Sequence, residues 1–485
     1  MQTELPKDFV RLMHEHYDSA TADALCHALD ATEPEVSIRL NPYKLSADEV
    51  LACNAGLEPV PWCPNAFYLP GRPPFTFDPL LHAGAYYVQE ASSMYAAHVL
   101  SEELRVKSEE ARLDGRRESQ RRVENDSKNQ NLQNGNSDSS LFTLRSSLLA
   151  LDLCAAPGGK STLLHSLLPE GSVLISNEPV AKRAQVLAEN MQKWTRGLPA
   201  SAPRSIVTQN YPQDFGILSG QVDILLADVP CSGEGMFRKD EVARQEWSLE
   251  NVEMCRQRQR DILSDIWHVL KPGGLLIYST CTFNRFEDED NVRWICEELG
   301  GELLSERHFL PGRDRGEGFY VAKIRVKNEE RRVKSEERRV KSEEARLDGR
   351  RESQQRVKNE EARLDGRRES QRRVKNDSKN QKLKNGNSDF SLFTFHFSLQ
   401  HVLYDSAEAP QLGGGCIELS YSEALQYLRR EALRVEAPRG PVTLCYRGLV
   451  LGQGKGVGSR INNLYPEPWR IRTTYTTPFS LLGTD

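Results

Sequence analysis

Residues 148–168 read LLALDLCAAPGGKSTLLHSLL. The run from Leu148 to Ala156 is largely apolar, the pattern of a strand buried on both sides. Pro157-Gly158-Gly159 then marks a tight turn, and the residues after it have helical spacing. Strand, glycine turn and helix open an alternation that continues along the chain. GSVLISNEP (171–179) is a second strand, VAKRAQVLAENMQKW (180–194) a helix, SIVTQN (205–210) a third strand and VDILLADVPC (222–231) a fourth. A long helical stretch, SLENVEMCRQRQRDILSDIWHVL (248–270), and the KPGG turn (271–274) deliver a fifth strand, LLIYSTC (275–281). This alternation predicts an α/β fold around a mostly parallel, doubly wound sheet. Such sheets bind ligands in the crevice at the carboxyl ends of their strands.

Every unusual residue falls at one of those ends. In CAAPGGK (Cys154, Ala155, Ala156, Pro157, Gly158, Gly159, Lys160) small residues let the backbone approach a ligand, and the helix start favours anionic groups. The loop lacks the G-x-G-x-x-G spacing of a dinucleotide site. Glu178 ends the second strand, 19 residues after Gly159. An acid at that distance suits a ribose diol. Loop and acid together fit a nucleoside cofactor without a pyrophosphate, and S-adenosylmethionine answers that description.

DVPCSGEGMFRKD (228–240) supplies Asp228 and Cys231, and the fifth strand ends in Cys281. A cysteine alone at a strand end is more often a small buried side chain than a nucleophile. Two of them at the ends of adjacent strands would share one crevice, which suits methylation of cytosine at C5. That carbon becomes nucleophilic once a thiolate has added to C6, an acid near N3 eases the addition, and Asp228 is the candidate for it. The helix start after Cys231, and Lys160 nearby, are expected to lower the thiol pKa values. The base must leave any stack to reach the pocket.

Together these stretches resemble the RNA 5-methylcytosine methyltransferases of the Sun family, in particular the RsmF-type 16S rRNA enzymes. LDLCAAPGGKS, DVPCSGEGMFRKD and YSTCTFNRFEDEDN are similar to three of the family's motifs, and SIRLNP (37–42) and YYVQEASSM (86–94) to its N-terminal signatures. GLVLGQGKGVGSRINNLYPEPWRIR (448–472) resembles the end of its PUA-like RNA-binding module. The resemblance implies a Rossmann-like S-adenosylmethionine-dependent methyltransferase fold with a small N-terminal α/β subdomain and a C-terminal PUA-like module. It implies Cys281 as nucleophile, Cys231 as the group assisting release, and Asp228 and Lys160 as catalytic partners. The cofactor contacts it implies are Cys154 to Lys160, Glu178 and Asp228. One departure stands out: where the family commonly has an aspartate near the adenine, TQNYPQDF offers Asn210 and Tyr211, with Asp214 later.

The bulk properties are compatible with this reading. The chain has 485 residues, 38% hydrophobic and 27% charged, with a formal charge of −5. That balance does not advertise a nucleic-acid binder, although local basic patches survive in a net value. Arg447, Lys455, Arg460, Arg470 and Arg472, interleaved with Tyr446, Tyr465 and Trp469, form such a patch. The ten cysteines show no metal-ligand spacing, so no metal is expected and reduced thiols are. No leader and no long apolar run is evident, so a cytoplasmic protein without a membrane partner is expected. RNA, as small-subunit rRNA or the 30S particle, is the expected partner of a monomer.

Residues 105–144 recur at 356–395 with 34 of 40 positions identical, and RVKSEEARLDGRRESQ appears once more at 339–354. Balanced charge and few aromatics mark these as solvated, largely disordered insertions rather than a basic RNA-binding arm. The resulting organisation is an N-terminal subdomain (1–104), an insert (105–145), the methyltransferase domain (146–324), a second insert (325–395) and the C-terminal module (396–485). A DNA cytosine-5 methyltransferase would use one cysteine, and an amino-methyltransferase would want a (D/N)PP(Y/F) turn where DVPC stands. An RNA-binding assembly factor without activity is the rival from another class.

Overall fold

Among the described residues the backbone builds three sheets. The computed structural model describes residues 4–54, 56–105, 147–327, 401–409, 416–473 and 477–484. Apart from residues 105 and 325–327, the two repeat-bearing segments lie outside the described residues. The N-terminal sheet contains β1 (Val36–Leu40), β2 (Glu58–Pro59), β3 (Ala66–Leu69) and β4 (Tyr86–Val88), in the order β2-β3-β1-β4 and antiparallel throughout.

The central sheet contains β5 (Leu149–Asp152), β6 (Val173–Asn177), β7 (Arg204–Thr208), β8 (Val222–Asp228), β9 (Leu270–Thr280), β10 (Gly301–Phe309), β11 (Phe319–Val326) and β12 (Val402–Asp405). Its order is β10-β11-β9-β8-β5-β6-β7-β12. The five strands from β9 to β7 are parallel, as the alternation predicts. β5 is followed outward by β6 and β7 on one side, and the chain then returns to lay β8 and β9 on the other. The point of reversal, between β5 and β8, is where a crevice opens in such a sheet. β5 and β6 are buried along their whole length, which is why neither reads as an alternating strand.

The third sheet contains β13 (Cys416–Glu418), β14 (Ala437–Tyr446), β15 (Leu449–Gly458) and β16 (Ile461–Asn463), in that order. The parallel pairing of β13 with β14 brings Cys416 and Cys445 together as a disulfide with Cα atoms 6.1 Å apart, so reduced thiols are not found for this pair. None of the other eight cysteines is in a disulfide. A second difference concerns β12. It falls within 396–485, the span expected for the C-terminal module, yet it pairs antiparallel with β7 in the central sheet. Arg204 of β7 donates to Asp405 of β12 as a paired fork, which ties the added strand to its neighbour.

Two of the buried apolar clusters among the described residues hold these layers. One runs through the central sheet, with Leu164, Leu174, Leu187, Ile224, Leu226 and Ile277. The other is shared by the N-terminal sheet and the C-terminal module, where Phe67, Phe75 and Tyr86 join Tyr427, Tyr446 and Tyr465. The described residues within 1–326 and 399–485 accordingly form one compact unit. Among the described residues no helix is long and apolar enough to cross a membrane.

Candidate active site

The first loop of the site follows β5. Gly158 caps the helix Gly159–Leu167 in a left-handed conformation, φ 116°, where a side chain would be strained and would press on Leu187. The loop is held from outside by backbone carbonyls. Arg183 donates to Ala156 O at 3.1 Å and Asn190 to Pro157 O at 2.8 Å, while the Ala155 N–H reaches Asn177 O at 2.8 Å. Arg39, from the SIRLNP stretch, is buried beneath it. Its Nη2 donates to Thr162 Oγ1 at 2.5 Å and Gly159 O at 3.2 Å, and its Nε to Gln89 Oε1 at 2.9 Å. The N-terminal signatures thus buttress the glycine loop.

Around this loop lie the acids. Asp152, at the end of β5, accepts from Ser161 Oγ at 2.7 Å through one oxygen, while Oδ1 is buried without a hydrogen bond. Burial raises its pKa to about 7. Burial, with the carboxylates of Asp152, Asp228 and Glu178, also pushes the Cys154 thiol up, so this cysteine is a neutral wall rather than a nucleophile. Glu178 is buried, accepts from Val180 N–H at 3.0 Å and pairs with Arg183 at 3.3 Å. Asn210 is also buried, and both its backbone N–H and its backbone carbonyl bond to the side chain of Asn177, at 2.9 Å each. Asn177, which no sequence pattern singled out, therefore sets the geometry of the third strand's end.

The reacting end is formed by β8 and β9. Lys160 Nζ lies 2.9 Å from Asp228 Oδ2, and Ser279 Oγ donates to Asp228 Oδ1 at 2.8 Å. Burial alone would lower the Lys160 pKa, but Asp228 outweighs it and holds it above its ordinary value. The Sγ atoms of Cys231 and Cys281 are 3.3 Å apart. The hydrogen bond with Cys281, and burial, raise the Cys231 pKa well above that of a free thiol. This corrects the expectation that a helix start would lower it. The element after Cys231 is only the short 3₁₀ turn Glu234–Met236, too brief for a useful dipole.

Behind Cys281, the hydroxyls of Thr280 and Thr282 both bond to Asp288 Oδ1, at 2.6 and 3.2 Å. The cysteine stands between two threonines because both anchor its turn. His308 Nε2 lies 3.0 Å from Asp288 and Nδ1 3.6 Å from Glu289. The donor atoms of these three residues lie within 4.8 Å of one another, as a cation site would require. Burial would lower the His308 pKa, but the two carboxylates raise it to about 10. The imidazolium thus supplies the positive charge of this cluster. Gly235 closes the site from the other loop, its N–H donating to Cys281 O at 2.7 Å.

The catalytic and cofactor candidates from the sequence, Cys154 to Lys160, Glu178, Asp228, Cys231 and Cys281, therefore sit at the carboxyl ends of β5, β6, β8 and β9. Comparison with known proteins matches three family descriptions along the chain. They are 16S rRNA methyltransferase RsmB/F over residues 141–325, the N-terminal domain of 16S rRNA methyltransferase RsmF over 5–91, and the methyltransferase RsmF PUA domain over 415–471. A ribosomal RNA small subunit methyltransferase F from Cronobacter sakazakii is 30% identical over 348 residues, covering 66% of this chain and 63% of the relative. One from Aliivibrio fischeri is 27% identical over 477 residues, covering 89% and 90%. The crystal structure of PH0851 superposes with a TM-score of 0.50 at 21% identity, over 66% of each chain, a likeness of fold.

Proposed function

The chain belongs to the RsmB/F family of 16S rRNA methyltransferases, and from that premise we propose that it methylates C5 of a cytosine in RNA through a covalent bond from Cys281 to C6. Small-subunit rRNA, free or in the 30S particle, is the substrate class. The observation that carries the proposal is the pair of strand-end thiols 3.3 Å apart, beside the Lys160–Asp228 ion pair.

S-adenosylmethionine, when bound, supplies an electrophilic methyl group. The residues present fit it: the loop after β5 turns through Gly158 in a left-handed conformation that brings Gly159 to the helix start, and Glu178 is a buried carboxylate. Asp152 adds a buried oxygen without a partner. Glu178 would hold the ribose hydroxyls, and Asn210 would face the adenine.

Once its thiol proton has passed to water, Cys281 donates its sulfur electron pair to C6, and the electrons pushed toward N3 are met by a proton from the Lys160–Asp228 pair. C5 is then the nucleophile toward the methyl group. After transfer, C5 gives up its proton to a base, N3 returns its proton to the Lys160–Asp228 pair, and the C6–S bond breaks, returning the electron pair to Cys281. Cys231, a thiol within hydrogen-bond reach of that sulfur, assists the departure.

Nucleoside mass spectrometry on unmodified small-subunit rRNA, as free RNA and as 30S particles, tests the proposal. With S-adenosylmethionine, the intact protein should produce 5-methylcytosine in at least one form and Cys281→Ala in neither. A methylated base other than 5-methylcytosine, or product that survives Cys281→Ala, would overturn it.

A further inference from the structure

Two buried acids stand behind the thiols, one on each cysteine's loop. Glu234 follows Cys231 by three residues and Glu287 follows Cys281 by six. Neither side chain is exposed. Each reaches across to the other loop. Glu234 Oε2 accepts from the backbone N–H groups of Phe283 and Asn284, at 2.5 and 3.2 Å, just beyond Cys281. Glu287 Oε2 accepts from the backbone N–H of Ser232, next to Cys231, at 3.0 Å, and from Gln259 Nε2 at 2.7 Å. The Asn284 amide joins the two acids, donating to Glu234 Oε1 and to Glu287 Oε1 at 2.9 Å each. Its own Oδ1 accepts the Glu287 N–H at 3.0 Å. Trp247 Nε1 gives Glu234 a further donor at 3.0 Å.

We propose that Glu234 and Glu287, bridged by Asn284, are positioning residues that set the two thiols against each other, each acid governing the other cysteine's step. The inference rests on the covalent reading above. Two buried carboxylates this close repel one another and are costly unless their oxygens are satisfied. An apolar filler would pack more cheaply, so a packing role alone does not account for two acids. Their hydrogen bonds end on amides adjoining both cysteines, and that is where a shift of a fraction of an ångström matters most to reacting sulfur atoms. Glu234 holds the loop of Cys281 and so acts on addition to C6. Glu287 holds the loop of Cys231 and so acts on release.

The two acids are separable by experiment. In a Cys231→Ala background, where the protein–RNA adduct accumulates, the rate of adduct formation reads the addition step. There Glu234→Gln should slow it by at least about tenfold, and Glu287→Gln should leave it within about twofold. In the wild-type background Glu287→Gln should raise the standing level of adduct on a denaturing gel and lower turnover, whereas Glu234→Gln should lower both. If the two variants change addition and release alike, or leave both unchanged, the brace is overturned. Absence of adduct in Cys231→Ala with the brace intact would instead remove the covalent reading, and this inference with it. Circular dichroism and S-adenosylmethionine calorimetry verify folding. Should a glutamine variant not fold, Asn284→Ala removes the bridge alone and should slow both steps; a folded Asn284→Ala with unchanged kinetics would sink the proposal.

Discussion

Cys231 and Cys281, 50 residues apart in sequence, meet with their sulfur atoms 3.3 Å apart at the ends of two parallel strands. The hydrogen bond with Cys281, and burial, hold Cys231 as a neutral thiol. In the proposed reaction Cys231 is thereby the reserve thiol and Cys281 the attacking one.

The first prediction follows from that division. Cys231→Ala should still add to the target base but fail to expel it, and a slow-migrating protein–RNA band should appear on a denaturing gel. Cys281→Ala should give no band. A Cys231→Ala protein that turns over freely and leaves no band would remove Cys231 from the release step.

A second concerns oxidation. Closing 3.3 Å to a bond of roughly 2.05 Å asks little movement of the two loops. Diamide should take two electrons and two protons from the thiols, joining Cys231 to Cys281 and abolishing methylation. Dithiothreitol should restore activity, and peptide mass spectrometry should identify the cross-link. Retention of both free thiols under diamide would contradict the observed geometry.

A third tests the closest backbone approach in the site. A Cβ built on Gly235 would lie 2.6 Å from the carbonyl oxygen of Cys281, far inside contact distance. Gly235→Ala should therefore displace the loop of Cys281 and lower methylation by about ten- to a hundredfold. S-adenosylmethionine affinity, measured by calorimetry, should stay near wild type because the glycine loop after β5 is untouched.

A fourth is a dependence of stability on pH. The His308 pKa stands at about 10 in the fold, against roughly 6.5 in an unfolded chain. A raised value means the stabilisation is complete below about pH 6.5 and is lost as pH rises through about 10. Wild type should lose stability between pH 7 and 10 more steeply than His308→Gln, by at most about 1.4 kcal/mol per pH unit. Urea unfolding at three pH values reads this directly, and parallel slopes would refute it.

Much of the site was legible in the sequence because its chemistry lies in short stretches at strand ends. Cys154 to Lys160, Glu178, Asp228, Cys231 and Cys281 each end a strand or follow one, and an alternating fold brings those ends together whatever the loops do. The support around them was not legible, because it is made by residues far apart in the chain. Arg39 meets Thr162 across 123 residues, and Tyr17 donates to the Phe283 carbonyl across 266. No local pattern encodes such pairs. The pKa of Cys231 was misjudged for the same reason: its dominant neighbour is another thiol rather than the backbone that follows it.

The added strand β12 has a consequence for the order in which the molecule can be completed. Its Asp405 joins Arg204 of β7 across 201 residues of chain, beyond both cysteine loops and the second repeat-bearing segment. Until the ribosome has synthesised that far, the outer edge of β7 offers bare N–H and C=O groups to any passing strand. The nascent chain thus carries both strand-end cysteines well before its sheet is closed, and non-local pairing of this kind forms slowly. A chain ended before residue 402 would keep every proposed catalytic residue and still present that edge.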